Sequence, residues 1–184
     1  MNQRSQLFCQ QVHWHDYAFG RQKHLPDSLQ SWLNETGSLT QRLRQQHNQQ
    51  FHVSLLLQNW AHGFADETAI LKQAQQRYQL IREVTLYASH QPVILARTVI
   101  PPETLAFANR KLSRLGTRPL GEVIFAYPNL QILGRQFSAT RFYSGEHTQD
   151  SEKASELIWG RRTLYGIANH PLLVAEFFLP NCYL

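Results

Sequence analysis

The stretch that decides the fold is YQLIREVTLYASHQPVILARTVIP, residues 78–101. It predicts two strands, because side chains alternate between the two faces of a strand, with a turn at ASHQP (88–92). The second strand, 93–100, is apolar on both faces except at Arg97 and Thr98, which is typical of a central strand covered on both sides. The stretch therefore predicts a hairpin near the centre of a sheet.

Arg82 lies on the apolar face of the first of these strands, together with Leu80, Val84 and Leu86. An arginine is rarely buried without a partner, because removing an unpaired charge from water is costly. Two interpretations stay open at this point. Arg82, like Arg97, pairs with a carboxylate in the core or reaches the rim of the sheet, or it binds an anionic ligand.

The composition is that of one ordinary globular domain. The chain has 184 residues and is 42% hydrophobic, which suffices for one sizeable core but not for two full domains. A net charge of +5 suits an anionic small molecule as well as nucleic acid, but no run of Lys and Arg marks a nucleic-acid-binding tail. We therefore expect a small-molecule partner and no nucleic acid.

The sequence shows no signal for a membrane, a metal or an oxidising compartment. No apolar run approaches the roughly 20 residues of a membrane span, and residues 1–20 lack the apolar core of a signal peptide. Cys9 and Cys182 lie at opposite ends of the chain, which is typical of a reduced, cytoplasmic protein. His13 and His15 are too few for a metal site without further ligands.

Helices are predicted from caps and apolar stripes at 25–36, 38–46, 101–116 and 119–126. Ser38 and Gln41 form a capping box at the start of the second helix. The first turn of a helix leaves backbone N–H groups free, so Leu39 and Leu120 mark two candidate anion sites. In the alternative interpretation, water or Ser38 satisfies these groups.

Further strands are predicted at 51–60, 130–142, 159–166 and 172–179. About six mostly hairpin-linked strands with several helices predict a single α+β domain built on an antiparallel sheet. The polar segment 144–155 is expected to be an exposed loop, either a plain surface loop or a lid.

Glu176 is the only charge in the apolar strand LLVAEFFL, residues 172–179. A carboxylate there must be paired, protonated or used, because an isolated buried charge is prohibitive. A structural pair would use an arginine such as Arg97 or Arg162. Buried charges are expected to be few, with Arg82 and Glu176 as the two on apolar faces.

Six segments, in this order and spacing, resemble chorismate lyases: GSLTQRL (37–43), YQLIREVTLY (78–87), ARTVIP (96–101), KLSRLGTRPLGEVIF (111–125), WGRR (159–162) and PLLVAEFFLP (171–180). The resemblance implies a six-stranded antiparallel sheet with covering helices and an internal ligand pocket closed by helix-turn-helix flaps. It makes 1–184 one domain, in which residues 1–24 are an N-terminal extension without a matching motif.

The resemblance also implies site residues. The arginine of the LIREV motif binds the ligand carboxylate in this family, which implies Arg82. The backbone at the leucine of the RPLGE motif and at the GSLT segment assists, which implies Leu120 and Leu39. The glutamate of LVAEFFLP meets the ring hydroxyl, which implies Glu176 and makes it, with Arg82, the catalytic pair. From its strand position, Arg97 is expected to bind the enolpyruvyl carboxylate or the leaving enolate.

The function implied by this resemblance is the conversion of chorismate to 4-hydroxybenzoate and pyruvate, the first committed step of ubiquinone synthesis. It implies a monomer without metal or other cofactor. A base-assisted route through Glu176 and a cyclic route both stay open. The alternative is a non-catalytic, small-molecule-sensing domain of the same fold, as in bacterial transcription repressors. Residues 1–36 are too short for the DNA-binding helices that precede such domains.

Overall fold

The computed structural model describes residues 5, 7, 12–16, 25–47, 50–108, 111–143 and 155–183. The helices within these ranges are α1 (Asp27–Leu33), α2 (Leu39–Gln46), α3 (Ala65–Ile70), α4 (Pro102–Phe107) and α5 (Leu120–Ile124). The strands are β1 (Phe51–His62), β2 (Tyr78–Ala88), β3 (Gln91–Ile100), β4 (Leu130–Tyr143), β5 (Ser155–Ile167) and β6 (His170–Phe178). Short 3-10 turns occupy Lys111–Ser113 and Pro180–Cys182.

All six strands form one antiparallel sheet in the order β1-β2-β3-β6-β5-β4, which confirms the predicted α+β fold. The predicted hairpin is β2 and β3, with Leu80 opposite Ile100 and Ala88 opposite Gln91. The turn is shorter than predicted. Ser89 has a φ of 48° and its successor a φ of 66°, so two residues in the left-handed region reverse the chain in the way that suits a twisted hairpin.

The sheet is covered on both faces, but by different parts of the chain. One face, which carries Arg82 and Glu176, is called the cavity face; its core packs beneath α1 and α2 at one end and beneath α4 and α5 at the other. On the opposite face, Leu71 of the α3 segment packs on β2, β3 and β6, and Trp14 packs against Phe177 of β6. Within β2 and β6, the buried apolar residues of even number therefore belong to the cavity face and those of odd number to the opposite core.

Arg97 belongs to this opposite face, which corrects its assignment to the substrate. Its Nε and Nη2 donate to the two carboxylate oxygens of Glu67 at 2.7 and 2.9 Å, and its Nη1 donates to Glu83 at 2.7 Å. Burial alone would lower the pKa of Arg97, but the two carboxylates outweigh burial and raise it. Neighbouring strand residues point to opposite faces, so a position next to Thr98 of the cavity face excludes Arg97 from the cavity.

Buried charge is also more abundant than the sequence indicated. Arg97, Glu67, Glu83, Arg161 and Arg162 are all buried, in addition to Arg82. The strand pattern cannot separate a buried charge with a partner on another strand from an exposed one. The missing information is the pairing between strands, which is long-range.

The helices follow the predictions with shorter bounds. Ser38 caps α2, and its hydroxyl accepts a hydrogen bond from the backbone N–H of Gln41 at 3.3 Å. The helix expected at 101–116 ends at Phe107 as α4, and a 3-10 turn follows at Lys111–Ser113. Residues 144–154 of the expected loop or lid lie outside the described residues.

Candidate active site

A cavity lies between the sheet and the first turns of α2 and α5. The sheet contributes polar side chains to an otherwise apolar wall, namely Arg82, Thr98, Tyr165 and Glu176. The helices contribute the segments around Leu39 and Leu120. The structure therefore gathers four of the predicted site residues, Arg82, Glu176, Leu39 and Leu120, around one space.

Arg82 is 2% exposed and has no carboxylate partner among the described residues. Its Nη2 donates to the carbonyl oxygens of Gly116 and Arg118 at 3.0 and 3.1 Å, while its Nε has no hydrogen-bond partner there. Burial lowers the pKa of Arg82 to about 10, so the guanidinium is charged at neutral pH. A buried cation without an anion favours the ligand-binding interpretation over a structural pair.

The helices over the cavity meet at their N-terminal ends. A Cβ on Gly121 would lie 2.8 Å from the Oγ of Ser38, so a side chain at this position would displace the Ser38 hydroxyl. An ion pair of 2.6 Å between Arg44 and Glu122 joins the same two helices further along. The contact brings the first turns at Leu39 and Leu120 to one side of the cavity, where their backbone N–H groups complement a negative ligand.

Glu176 lines the cavity and is held from one side by an arginine. Its Oε2 accepts a hydrogen bond of 2.8 Å from the Nε of Arg161, its direct neighbour on β5. The protein hydrogen bonds of the described residues leave Oε1 free for a ligand. The expected partner of Glu176 in a structural pair was Arg97 or Arg162. The observed partner is Arg161 instead.

Three further polar residues on the cavity face were missed by sequence analysis. Arg161 is fully buried, Tyr165 lines the cavity, and Arg135 on β4 is half-buried. Burial and the nearby charge of Glu176 raise the pKa of Tyr165, which keeps its hydroxyl protonated as a donor. Only the WGRR motif could have drawn attention to Arg161, and it does not show which of its two arginines faces the cavity.

The structure bears on metal binding and membrane spans only within the residues that it describes. Within those ranges, no group of three or more His, Cys, Asp and Glu side chains could hold a metal ion. His15 bridges to Phe137 through the backbone. The same part of the chain contains no helix long and apolar enough to span a membrane.

The fold and the cavity define a class of protein: an α+β domain whose internal pocket contains an arginine without a carboxylate partner in the described structure. The chain belongs to the chorismate lyase family, whose sequence model matches residues 9–184, and it is therefore a lyase.

Relatives in two bacteria share most of the chain. A protein of Methylococcus capsulatus named "Probable chorismate pyruvate-lyase" is 43% identical over 154 residues, which cover 83% of this chain and 94% of that protein. A protein of the same name in Thiobacillus denitrificans is 35% identical over 173 residues, which cover 92% and 90%.

Solved structures with a similar fold include PhnF and the C-terminal domain of a repressor. PhnF from Mycobacterium smegmatis has a TM-score of 0.59 at 11% identity, covering 82% of this chain and 67% of that chain. The C-terminal domain of the histidine utilization repressor from Pseudomonas syringae pv. tomato has a TM-score of 0.50 at 8% identity, covering 73% and 94%. At such low identity, the likeness shows a shared fold alone.

Proposed function

We propose that this protein converts chorismate to 4-hydroxybenzoate and pyruvate. One observation carries the proposal: a buried Arg82, without a carboxylate partner among the described residues, shares a cavity with Glu176 in a chain of the chorismate lyase family. Chorismate has a ring carboxylate, a ring hydroxyl and an enolpyruvyl ether on the neighbouring ring carbon. The cavity provides a cation and a carboxylate acceptor for such a molecule.

The ring carboxylate is assigned to Arg82 and to the backbone N–H groups of Leu39 and Leu120. A guanidinium binds a carboxylate with two parallel hydrogen bonds, and two helix N-termini add donors of the same sign. The Nε of Arg82 already lacks a partner among the described residues. The apolar wall formed by Val84, Leu86 and other side chains packs against the ring.

Glu176 is assigned to the ring hydroxyl through its free Oε1. The reaction breaks the C–H bond at the hydroxyl-bearing carbon and the ether C–O bond on its neighbour, and the ring becomes aromatic. In the base-assisted route Glu176 takes the proton, and the departing enolate gains a proton at its methylene carbon to become pyruvate. In the cyclic route that hydrogen moves directly to the methylene, and Glu176 orients the hydroxyl.

Aromatisation supplies the thermodynamic drive, so the protein contributes orientation and charge placement. Neither route uses a metal or another cofactor. In both routes, all atoms of the substrate end in 4-hydroxybenzoate and pyruvate. Tyr165, held protonated beside Glu176, adds a hydroxyl donor to this side of the cavity.

We also propose that the protein acts as a cytoplasmic monomer at the entry to ubiquinone synthesis, without nucleic acid as a partner. Cys182 is a buried free thiol whose pKa burial raises to about 12, so it is protonated and unreactive at neutral pH. Light scattering of the purified protein tests the monomer.

The decisive experiment incubates the purified protein with chorismate and follows 4-hydroxybenzoate and pyruvate. We expect equal amounts of both products, with the same rate in buffer containing a metal chelator. Product formation that appears only after a metal is added would overturn the assigned roles. An absence of both products would overturn the proposed function.

A further inference from the structure

Chorismate has two carboxylates, but the arrangement proposed above binds only the one on the ring. The enolpyruvyl carboxylate remains negative throughout the reaction and leaves as the carboxylate of pyruvate. Arg97 cannot bind it, because Glu67 and Glu83 occupy that side chain on the opposite face of the sheet. A second cation on the cavity face is therefore required if the proposed function holds.

Arg161 does not meet this requirement. Its Nε is bound to Glu176, and its Nη1 donates to the carbonyl oxygens of Trp32 and Leu33 at 3.1 and 3.3 Å and also to that of Glu35. A ligand carboxylate that bound the Nε or Nη1 of Arg161 would have to displace these bonds. Acceptors of the protein itself thus already bind the Nε and Nη1 of Arg161.

Arg135 is the candidate for this second cation, on the same face of the sheet but outside the residues that line the cavity. It lies on β4 opposite Thr163, which in turn pairs with the cavity-lining Val174, so Arg135 is on the cavity face. Its Nε donates to the Oγ1 of Thr163 at 3.2 Å. Its Nη2 is buried and has no hydrogen-bond partner in the described part of the chain.

The electrostatic surroundings of Arg135 also favour an anionic ligand beside its guanidinium. Burial lowers the pKa of Arg135, and the positive charge of Arg161 lowers it further, against a smaller opposing effect of Tyr165 and Glu176. Burial and the charge of Arg161 together therefore outweigh the nearby Tyr165 and Glu176 at this guanidinium. A bound carboxylate would supply both the missing acceptor and the missing charge.

We propose that Arg135 binds the enolpyruvyl carboxylate of chorismate, beside the Tyr165 and Glu176 side of the cavity. This inference rests on the proposed function and names a second anion subsite within it. It predicts that Arg82 and Arg135 bind different carboxylates of the substrate. Arg82 contributes to binding of both chorismate and 4-hydroxybenzoate, whereas Arg135 contributes only to chorismate, since 4-hydroxybenzoate has lost the enolpyruvyl group.

The test compares two ligands in Arg135→Gln. We expect the chorismate concentration for the half-maximal single-turnover rate to rise about 10- to 100-fold, the usual scale for losing a charge-assisted contact. The dissociation constant of 4-hydroxybenzoate should stay within about twofold of the wild-type value. Retention of this affinity also shows that the variant is folded. Arg135→Lys, which keeps the charge, should recover part of the chorismate affinity.

Arg77→Gln is the matched control, because it removes the same charge from an exposed residue that pairs with Glu103. It should leave both ligands unaffected. Equal weakening of both ligands in Arg135→Gln, or wild-type behaviour towards chorismate, would overturn the inference. These results differ from a failure of the proposed function, which would show as no turnover of chorismate by the wild-type protein.

Discussion

Arg161 and Glu176 face each other across β5 and β6, and the Nε of Arg161 donates to the Oε2 of Glu176 at 2.8 Å. The Nη1 of the same arginine binds backbone carbonyls at the end of α1, including those of Trp32 and Leu33. One guanidinium therefore fixes both the cavity-lining carboxylate and the chain that leads to α2. Arg162, its neighbour, points to the opposite face and pairs with Asp66.

The two neighbouring arginines separate a structural effect from a functional one. We expect Arg161→Gln and Arg162→Gln each to lower the free energy of unfolding by about 3–5 kcal/mol, because each leaves a partly buried carboxylate unpaired. Only Arg161→Gln should reduce kcat, by about 10²-fold, since Glu176 loses its position. Urea unfolding and steady-state kinetics measure the two effects. An equal loss of kcat in both variants would assign Arg161 a purely structural role.

Glu176→Gln tests the proposed catalytic role of this carboxylate. Glutamine keeps the shape and can still accept from Arg161, so the free energy of unfolding should fall by only about 1–3 kcal/mol. Glutamine cannot take a proton, so single-turnover conversion of chorismate should slow by about 10²–10⁴-fold. A stable variant of normal speed would favour the cyclic route. A strongly destabilised variant with near-normal chemistry would contradict any catalytic role.

Arg82→Ala tests the proposed ring-carboxylate site. We expect the binding free energy of 4-hydroxybenzoate to weaken by about 2–4 kcal/mol, as for the removal of one partner from a buried charged pair. Calorimetry on the folded variant measures this change. An unchanged affinity would show that the ligand does not contact Arg82 and would return this residue to a structural role with Gly116 and Arg118.

The pH dependence of carboxylate binding follows from the lowered pKa of Arg82, which is about 10. The guanidinium is charged below this pH and neutral above it, so anion affinity should be flat through neutral pH and decrease as the pH rises through about 10. Benzoate is the suitable probe, because it lacks a phenol that titrates in the same range. Arg82→Ala should abolish the decrease, and a decrease that persists in this variant would assign it to another group.

Gly121→Ala tests the contact between the two helices over the cavity. The new Cβ would lie 2.8 Å from the Oγ of Ser38, which caps α2, so the hydroxyl must move and the cap weakens. We expect a loss of about 1 kcal/mol in the free energy of unfolding, the usual worth of such a cap.

Ser38→Ala supplies the control for that variant. In its background Gly121→Ala should cost much less, because the clashing oxygen is gone and the next atom of residue 38 lies at 3.7 Å. Thermal unfolding of the two single variants and the double variant gives the coupling. Strict additivity of the two changes would contradict this contact.

Much of the site is visible in local patterns. Arg82 and Glu176 were found because each is a lone charge among apolar residues of a strand, and the alternation of side chains has a period of two. Ser38 was found because a capping box needs only residues three apart. These signals depend on neighbours in the chain, so a single sequence contains them. Arg97 was misplaced because both faces of its strand are apolar, and the pattern does not say which face meets the cavity.

The sequence by itself determined the sheet class, the central hairpin, the cap of α2 and the two lone charges, since each depends on short-range periodicity and backbone chemistry. Only the tertiary structure decided which charges meet. It paired Arg97 with Glu67 and Glu83, paired Glu176 with Arg161, and left Arg82 without a carboxylate within the described residues. The physical reason is register: a shift of one residue between strands moves every side chain to the other face, and register is set by contacts distant along the chain.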